Sequence, residues 1–236
     1  MRKNQMFTSI FVTLLLLPEA GFAQVVYDNF NNASRPRWNV LADGLGPESE
    51  ETNRRLEIVL PADSTESPVS LFGGFSVSYL SACRLQGDFD ISVSYALLEF
   101  PAFNGVRVGL GVQERGQFSR AVERTSFSQH DALPPGEVYL TDFGGVTQVP
   151  TTDTRGQLRL VREGDTLTGY YFDANSRDWQ SISSASYTTN EVHFAIAAWT
   201  QSSYFDDKSV KVAFDQVVIH QGALRGACLP PSQHLK

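Results

Sequence analysis

Apolar and polar residues alternate with a period of two along most of the chain after residue 88, and no stretch keeps the 3.6-residue spacing of an amphipathic helix. In Asp88-Phe89-Asp90-Ile91-Ser92-Val93-Ser94-Tyr95 the apolar members point one way and the aspartates and serines the other. That is the signature of a strand with one face in a core and one face in water. Residues 105–113 repeat it, with Val106, Val108, Leu110 and Val112 inward and Arg107, Gly109, Gly111 and Gln113 outward. The segment 157–172 reads as a hairpin: Leu158 and Leu160 lie on one arm, Leu167, Gly169 and Tyr171 on the other, and Gly164-Asp165 makes the turn. Residues 192–199 and 210–219 supply two further strong strands, and weaker ones are predicted at 56–60, 70–78 and 137–140. Long loops fall at 42–53, 61–68 and 117–136, a length that in a compact domain marks function or mobility. The pattern predicts an all-β protein, an antiparallel two-sheet β-sandwich.

The N-terminus breaks this pattern. Residues 1–23 run from a basic start (Arg2, Lys3) through an apolar stretch at 6–17 to small residues at Gly21 and Ala23, the layout of a secretory signal cut after Ala23. The apolar stretch is shorter than the roughly 20 residues a helix needs to cross a bilayer. No later segment is apolar enough to anchor the chain, so a secreted protein, extracellular or periplasmic, without a membrane span is expected. The predicted organisation is a signal peptide at 1–23, a sandwich domain at 24–221 and a C-terminal tail at 222–236. The formal net charge is −7, from 19 basic and 26 acidic residues. Removing the signal takes away two basic residues and one acidic one, leaving −8. With no basic run, this surface repels polyphosphates, which excludes a nucleic-acid partner. Two cysteines, Cys83 and Cys228, form an even pair in an exported chain and predict one disulfide.

Catalytic patterns are missing. Asp88 and Asp90 share a strand face, but the next positions on it are Ser92 and Ser94, so alternation alone explains them as a solvated face. There is no Gly-x-Ser-x-Gly, and His130, His193, His220 and His234 show no zinc-binding spacing. No catalytic residue is assigned. The outward positions of the best strands carry a different signal. Gly109 and Gly111 on one and Ala195 and Ala197 on another are small, while Trp199, His193, Arg107, Gln113 and Tyr170 share those faces. If the strands adjoin, they make a trough floored by backbone and methyl groups and bordered by rings and hydrogen-bonding tips. Such a trough suits a sugar stacked on Trp199 or Tyr170. In the competing reading the small residues make room for a covering loop such as 117–136, with Trp199 packed beneath it.

Several segments together resemble the concanavalin A-like lectin/glucanase superfamily, in its laminin-G-like bacterial extracellular jelly rolls. They are Tyr27-Asp28-Asn29-Phe30 with Trp38, Gly87-Asp88-Phe89-Asp90, residues 104–110, Leu158-Arg159-Leu160-Val161-Arg162 with 167–171 and Trp179, and residues 213–219. The resemblance implies two packed antiparallel sheets, terminal strands side by side, and a concave ligand face. Glucanase members carry Glu-x-Asp-x-Glu on one strand to flank the sugar bond, and no such run exists in this chain. Laminin-G-like relatives often hold a structural calcium ion. Asp28 with Asp215, and Asp206 with Asp207, are the donors this would use. Glu48, Glu50 and Glu51 read as a solvated acidic loop. The function expected is a non-catalytic recognition module for a polysaccharide or other glycan. A glycoside hydrolase or polysaccharide lyase with an atypical site, or a structural or adhesive envelope protein, are the alternatives.

Overall fold

The computed structural model describes residues 24–31, 37–68, 73–114 and 120–226. The predicted signal peptide, its cleavage point and Cys228 lie outside these residues. Fourteen strands follow in chain order: β1 Val25–Asp28, β2 Trp38–Asp43, β3 Glu48–Thr52, β4 Arg55–Leu60, β5 Gly74–Glu99, β6 Arg107–Gln113, β7 Arg120–Phe127, β8 Gly136–Asp142, β9 Val146–Pro150, β10 Arg155–Glu163, β11 Thr166–Asp173, β12 Asp178–Ser186, β13 Val192–Gln201 and β14 Val210–Arg225. Every pairing between them is antiparallel.

The strands form two layers joined through β5, whose 26 residues run through both. Its first half pairs with β2 and β13, giving a front layer in the order β2-β5-β13-β6-β7-β8-β9. Its second half pairs with β10 and β14, giving a back layer of β12-β11-β10-β5-β14-β4-β3, with β1 beside β14. The strand passes between layers at Gly87, whose φ of 69° is a left-handed conformation that costs glycine nothing. The layers face each other directly. Tyr139 of β8 stacks on Tyr171 of β11 with centroids 4.3 Å apart, and a Cβ on Gly169 would meet Thr141 and Val122 across the interface.

The core is made of the inward positions the alternation predicts. Phe89, Ile91 and Val93, then Val106, Val108, Leu110 and Val112, then Leu158 and Leu160, and Phe194 and Ile196 are all buried. At roughly 1.5–3 kcal/mol for each fully buried large apolar side chain, these faces dominate the stability. The hairpin has the predicted register, Leu158 opposite Tyr171 and Leu160 opposite Gly169, and β1 lies beside β14.

Several elements differ from expectation. The loop predicted at 117–136 contains β7, and the loop at 42–53 contains β3. β9 and β12 were not predicted. β14 continues to Arg225, past residue 221, because its end pairs with Arg84, Leu85 and Gln86. Asp90 is not a solvated residue: Arg159 grips both its carboxylate oxygens at 2.7 and 2.5 Å. Asp88 is also engaged, accepting from the Gly164 amide at the hairpin turn.

Candidate functional site

A cavity of about 660 Å³ lies on the outward face of the front layer. The strand registers build it as three rows running across the sheet. One row is Asp43, Ser76, Trp199, Arg107; the next is Leu41, Ser78, Ala197, Gly109, Glu123; the third is Leu80, Ala195, Gly111, Ala121, Asp142. Six strands at about 4.8 Å per step make a surface about 24 Å wide. Its middle is floored by Ser76, Ser78, Ala195, Ala197 and Gly111, and its sides are Leu41 and Asp43 from β2 and Glu123 and Asp142 from β7 and β8. The floor is low because none of its side chains exceeds two heavy atoms.

Trp199 and Glu123 are locked together at one end. The Trp199 indole N–H donates to Glu123 Oε1 at 2.9 Å, and the Arg107 guanidinium lies 4.7 Å over the Trp199 ring. Arg107 therefore covers one ring face, so a ligand meets Trp199 by its edge and remaining face. Glu123 reaches Trp199 by crossing Gly109: a Cβ there would sit 2.7 Å from Glu123 Cγ. Gly109 is thus small to seat Glu123, whereas Ala195 and Ala197 leave open floor. Glu123 is only 3% exposed, and among the described residues its Oε2 accepts no hydrogen bond, with Arg107 Nη1 at 3.7 Å. Burial pushes its carboxyl above the usual carboxylate range, Arg107 and Trp199 pull it back, and Asp142 adds to the push.

Beyond Arg107 the same face is filled. Phe127, Val138 and Leu140 form a small apolar cluster with Leu133 packed against it, and Arg107 also lies over the Phe127 ring at 5.6 Å. The segment carrying Leu133 covers this end of the face and leaves the trough open. The covering-loop reading thus holds for one end only.

Of the five predicted contact residues, Trp199 and Gln113 line the cavity. Arg107 backs Trp199. His193 lies on the same face opposite Gln113, outside the cavity lining, with Nδ1 2.8 Å from the Ser81 carbonyl oxygen. Tyr170 does not belong to this set. It stands on β11 of the back layer, where Arg159 lies over its ring at 5.7 Å and over Trp179 at 5.1 Å. Alternation ranks the two faces of one strand but is silent on which sheet the strand joins.

Leu41, Asp43, Ser76, Ser78, Glu123 and Asp142 were missed. The β7 residues alternate correctly, but both faces mix polar and apolar side chains: Val122, Arg124 and Ser126 on one, Ala121, Glu123 and Thr125 on the other. Two of the four residues named as calcium donors have protein partners. Asp28 accepts from the Phe30 amide and the Trp38 indole, Asp206 pairs with Lys208, and among the described residues no three His, Cys, Asp or Glu side chains group as a metal site.

This architecture is that of known proteins. The chain is similar to a winged bean acidic lectin complexed with methyl-α-D-galactose, with a TM-score of 0.58 at 10% identity over 86% of this chain and 99% of the lectin. Lectin I-B4 from Griffonia simplicifolia gives 0.56 at 12% identity, covering 86% and 100%. LamAcat from Zobellia galactanivorans gives 0.55 at 11% identity, covering 85% and 97%. The fold is the concanavalin A-like jelly roll. No curated protein sequence matches the chain. A profile described as "Protein of unknown function (DUF1583) C domain" matches residues 74–235, from the first residue of β5 onward. That span holds both central strands of the sandwich and all of the trough except its β2 wall, and the chain belongs to the DUF1583 C-domain family.

Proposed function

We propose that the front-layer trough binds a glycan without cleaving it, in a protein exported through residues 1–23. The supporting observation is the trough itself: a low floor of serine, alanine and glycine, one partly exposed tryptophan, and acceptor groups on both sides. Sugars offer flat C–H faces and many hydroxyl donors, and this surface answers both. The lectin neighbours support the reading at the level of fold only. Trp199→Ala removes the one partly exposed aromatic ring in the lining, Phe75 being buried, and also frees Arg107 and Glu123. A bound glycan is expected to dissociate about tenfold more readily. Calorimetry against a polysaccharide panel reads this; unchanged affinity in the variant removes Trp199 from the site, and no binding by the wild type removes the function.

A hydrolytic reading is favoured by one observation: Glu123, with its carboxyl pushed up by burial, shares the trough with Asp142. An acid role requires a carboxyl raised in this way with a second carboxyl nearby. Release of reducing ends from a bound polysaccharide, lost in Glu123→Gln, would establish it in place of pure binding.

Export and the disulfide are tested together. Cys83 is fully buried, and at Gly226, two residues before Cys228, an added Cβ would stand 3.7 Å from Cys83 Sγ. Peptide mapping of the exported protein under non-reducing conditions is expected to show an N-terminus at Gln24 and one fragment joining Cys83 to Cys228. Free thiols at both cysteines, or an intact Met1, would refute the respective half.

A further inference from the structure

β1 starts at the second residue of the chain that export would leave. With the cut after Ala23, the mature protein begins Gln24-Val25-Val26-Tyr27. Gln24 is exposed and lies just outside the strand, while Val25 and Val26 pair with Ile219 and Val218 of β14. Behind them Tyr27 is buried. Its ring meets Trp38 and Phe194 edge to face, and its hydroxyl donates to the Arg37 carbonyl at 2.8 Å. Asp28 accepts from the Trp38 indole at 2.9 Å. The first paired residues are thus tied down, and the one before them is presented to solvent. One step beyond the Val25–Ile219 pair, the register puts Gln24 alongside His220. Burial lowers the His220 pKa, which keeps that ring neutral at pH 7. Asp90, the carboxylate that acts on His220, is gripped by Arg159. It is therefore already paired and does not hold the Gln24 α-amine as an ammonium.

We propose that Gln24 is a modification site: after export its α-amine closes on its own side chain, and the mature chain begins with a pyroglutamate. The inference rests on the export reading and on no property of the trough. A terminal amine, with an ordinary pKa of about 8, is partly unprotonated at neutral pH and can act as a nucleophile. Its nitrogen attacks the side-chain amide carbon Cδ, and the Cδ–Nε2 bond breaks. Ammonia leaves with the proton that the attacking nitrogen gives up, and a five-membered lactam remains. No oxidant or second substrate is required. Closing the ring disrupts no strand pairing, because the pairs begin at Val25. It removes the terminal charge and with it the free amine that an aminopeptidase needs. Among the described residues β1 pairs with β14 alone. Stepwise trimming past Val26 would take Tyr27 out of the core and Asp28 away from Trp38, so a cap at Gln24 guards both.

The experiment weighs the exported full chain undigested, because an N-terminal glutamine also cyclises during proteolytic digestion. The chain is incubated at neutral pH until its mass is constant, then reduced. Its mass is expected to lie one ammonia below that of residues 24–236. Edman degradation is expected to stay blocked until pyroglutamyl aminopeptidase has removed the first residue, and then to read Val25. Gln24→Glu, which has no amide to lose, and Gln24→Ser are expected to keep a free α-amine. Under a general aminopeptidase both variants are expected to lose residues from β1, while the wild type loses none. A wild-type chain that starts at Gln24 and still carries a free α-amine overturns the inference and leaves export in place. Equal trimming of wild type and variants does the same. An intact Met1, or a first residue other than Gln24, overturns both the cap and the cut it depends on.

Discussion

Replacing Arg162 with methionine is expected to lower the unfolding free energy by about 3–4 kcal/mol, a loss of roughly 6–16 °C in melting temperature for a domain of this size. Arg162 is 1% exposed and occupies an inward position of β10, in line with Leu158 and Leu160. Among the described residues its guanidinium pairs with no carboxylate. It donates from Nε and Nη2 to the Gly87 carbonyl and from Nη1 to the carbonyls of Thr188 and Asn190 at 2.9 and 2.8 Å. It also lies 4.7 Å over the Phe89 ring. Gly87 is where β5 leaves one layer for the other, and residues 188 and 190 precede β13, so one planar cation closes the end of the sandwich. Methionine fills similar space but strands three carbonyls. Lysine keeps the charge, yet its compact ammonium cannot spread donors over three acceptors, so Arg162→Lys is expected to recover less than half of the loss. Denaturant midpoints at constant m-value decide this. A change below about 1 kcal/mol, or full recovery with lysine, would mean that water satisfies those carbonyls.

Arg162 also illustrates why part of the fold could not be read from the chain. The hairpin around Gly164-Asp165 was legible because its inward residues are apolar; Arg162, at the next inward step, is polar and buried. The same inversion hid β7, where Arg124 and Ser126 point inward and Glu123 outward, all of them buried. Arg124 is held by Glu137 at 2.7 Å, and Ser126 receives the Asn104 amide. Polarity there reports partners that are remote in sequence, not solvent. β3 and β12 were missed for a simpler reason: Glu-Ser-Glu-Glu-Thr and the serine-rich 178–186 carry little apolar signal at sheet edges. The trough was partly legible because Gly109, Gly111, Ala195 and Ala197 lie on strands whose alternation is clean. The register confirms their adjacency, with Ala197 opposite Gly109 and Ala195 opposite Gly111. What those strands could not report is the identity of their outer neighbours, so Glu123 and Asp142 escaped and Tyr170 was assigned to the wrong sheet.

The small residues then divide by cause, and that division gives the sharpest test of the site. Gly109 is occupied from above by Glu123, so adding a side chain there would displace Glu123 and act through the ion pair with Arg107. Ala197 has no such occupant role: it lies at mid-floor between Ser78 and Gly109, its methyl directed into the cavity. Ala197→Trp is expected to abolish glycan binding, at least about 100-fold, because an indole covering about 150–250 Å² would lie where the sugar rests. It should change stability by less than about 1 kcal/mol, since the added ring projects away from the core. Tyr170→Ala on the back layer is expected to leave binding unchanged, which separates loss at the trough from loss anywhere on an aromatic surface. If Ala197→Trp still binds and Tyr170→Ala does not, the back-layer Tyr170–Arg159–Trp179 ladder is the recognition surface and the trough is not.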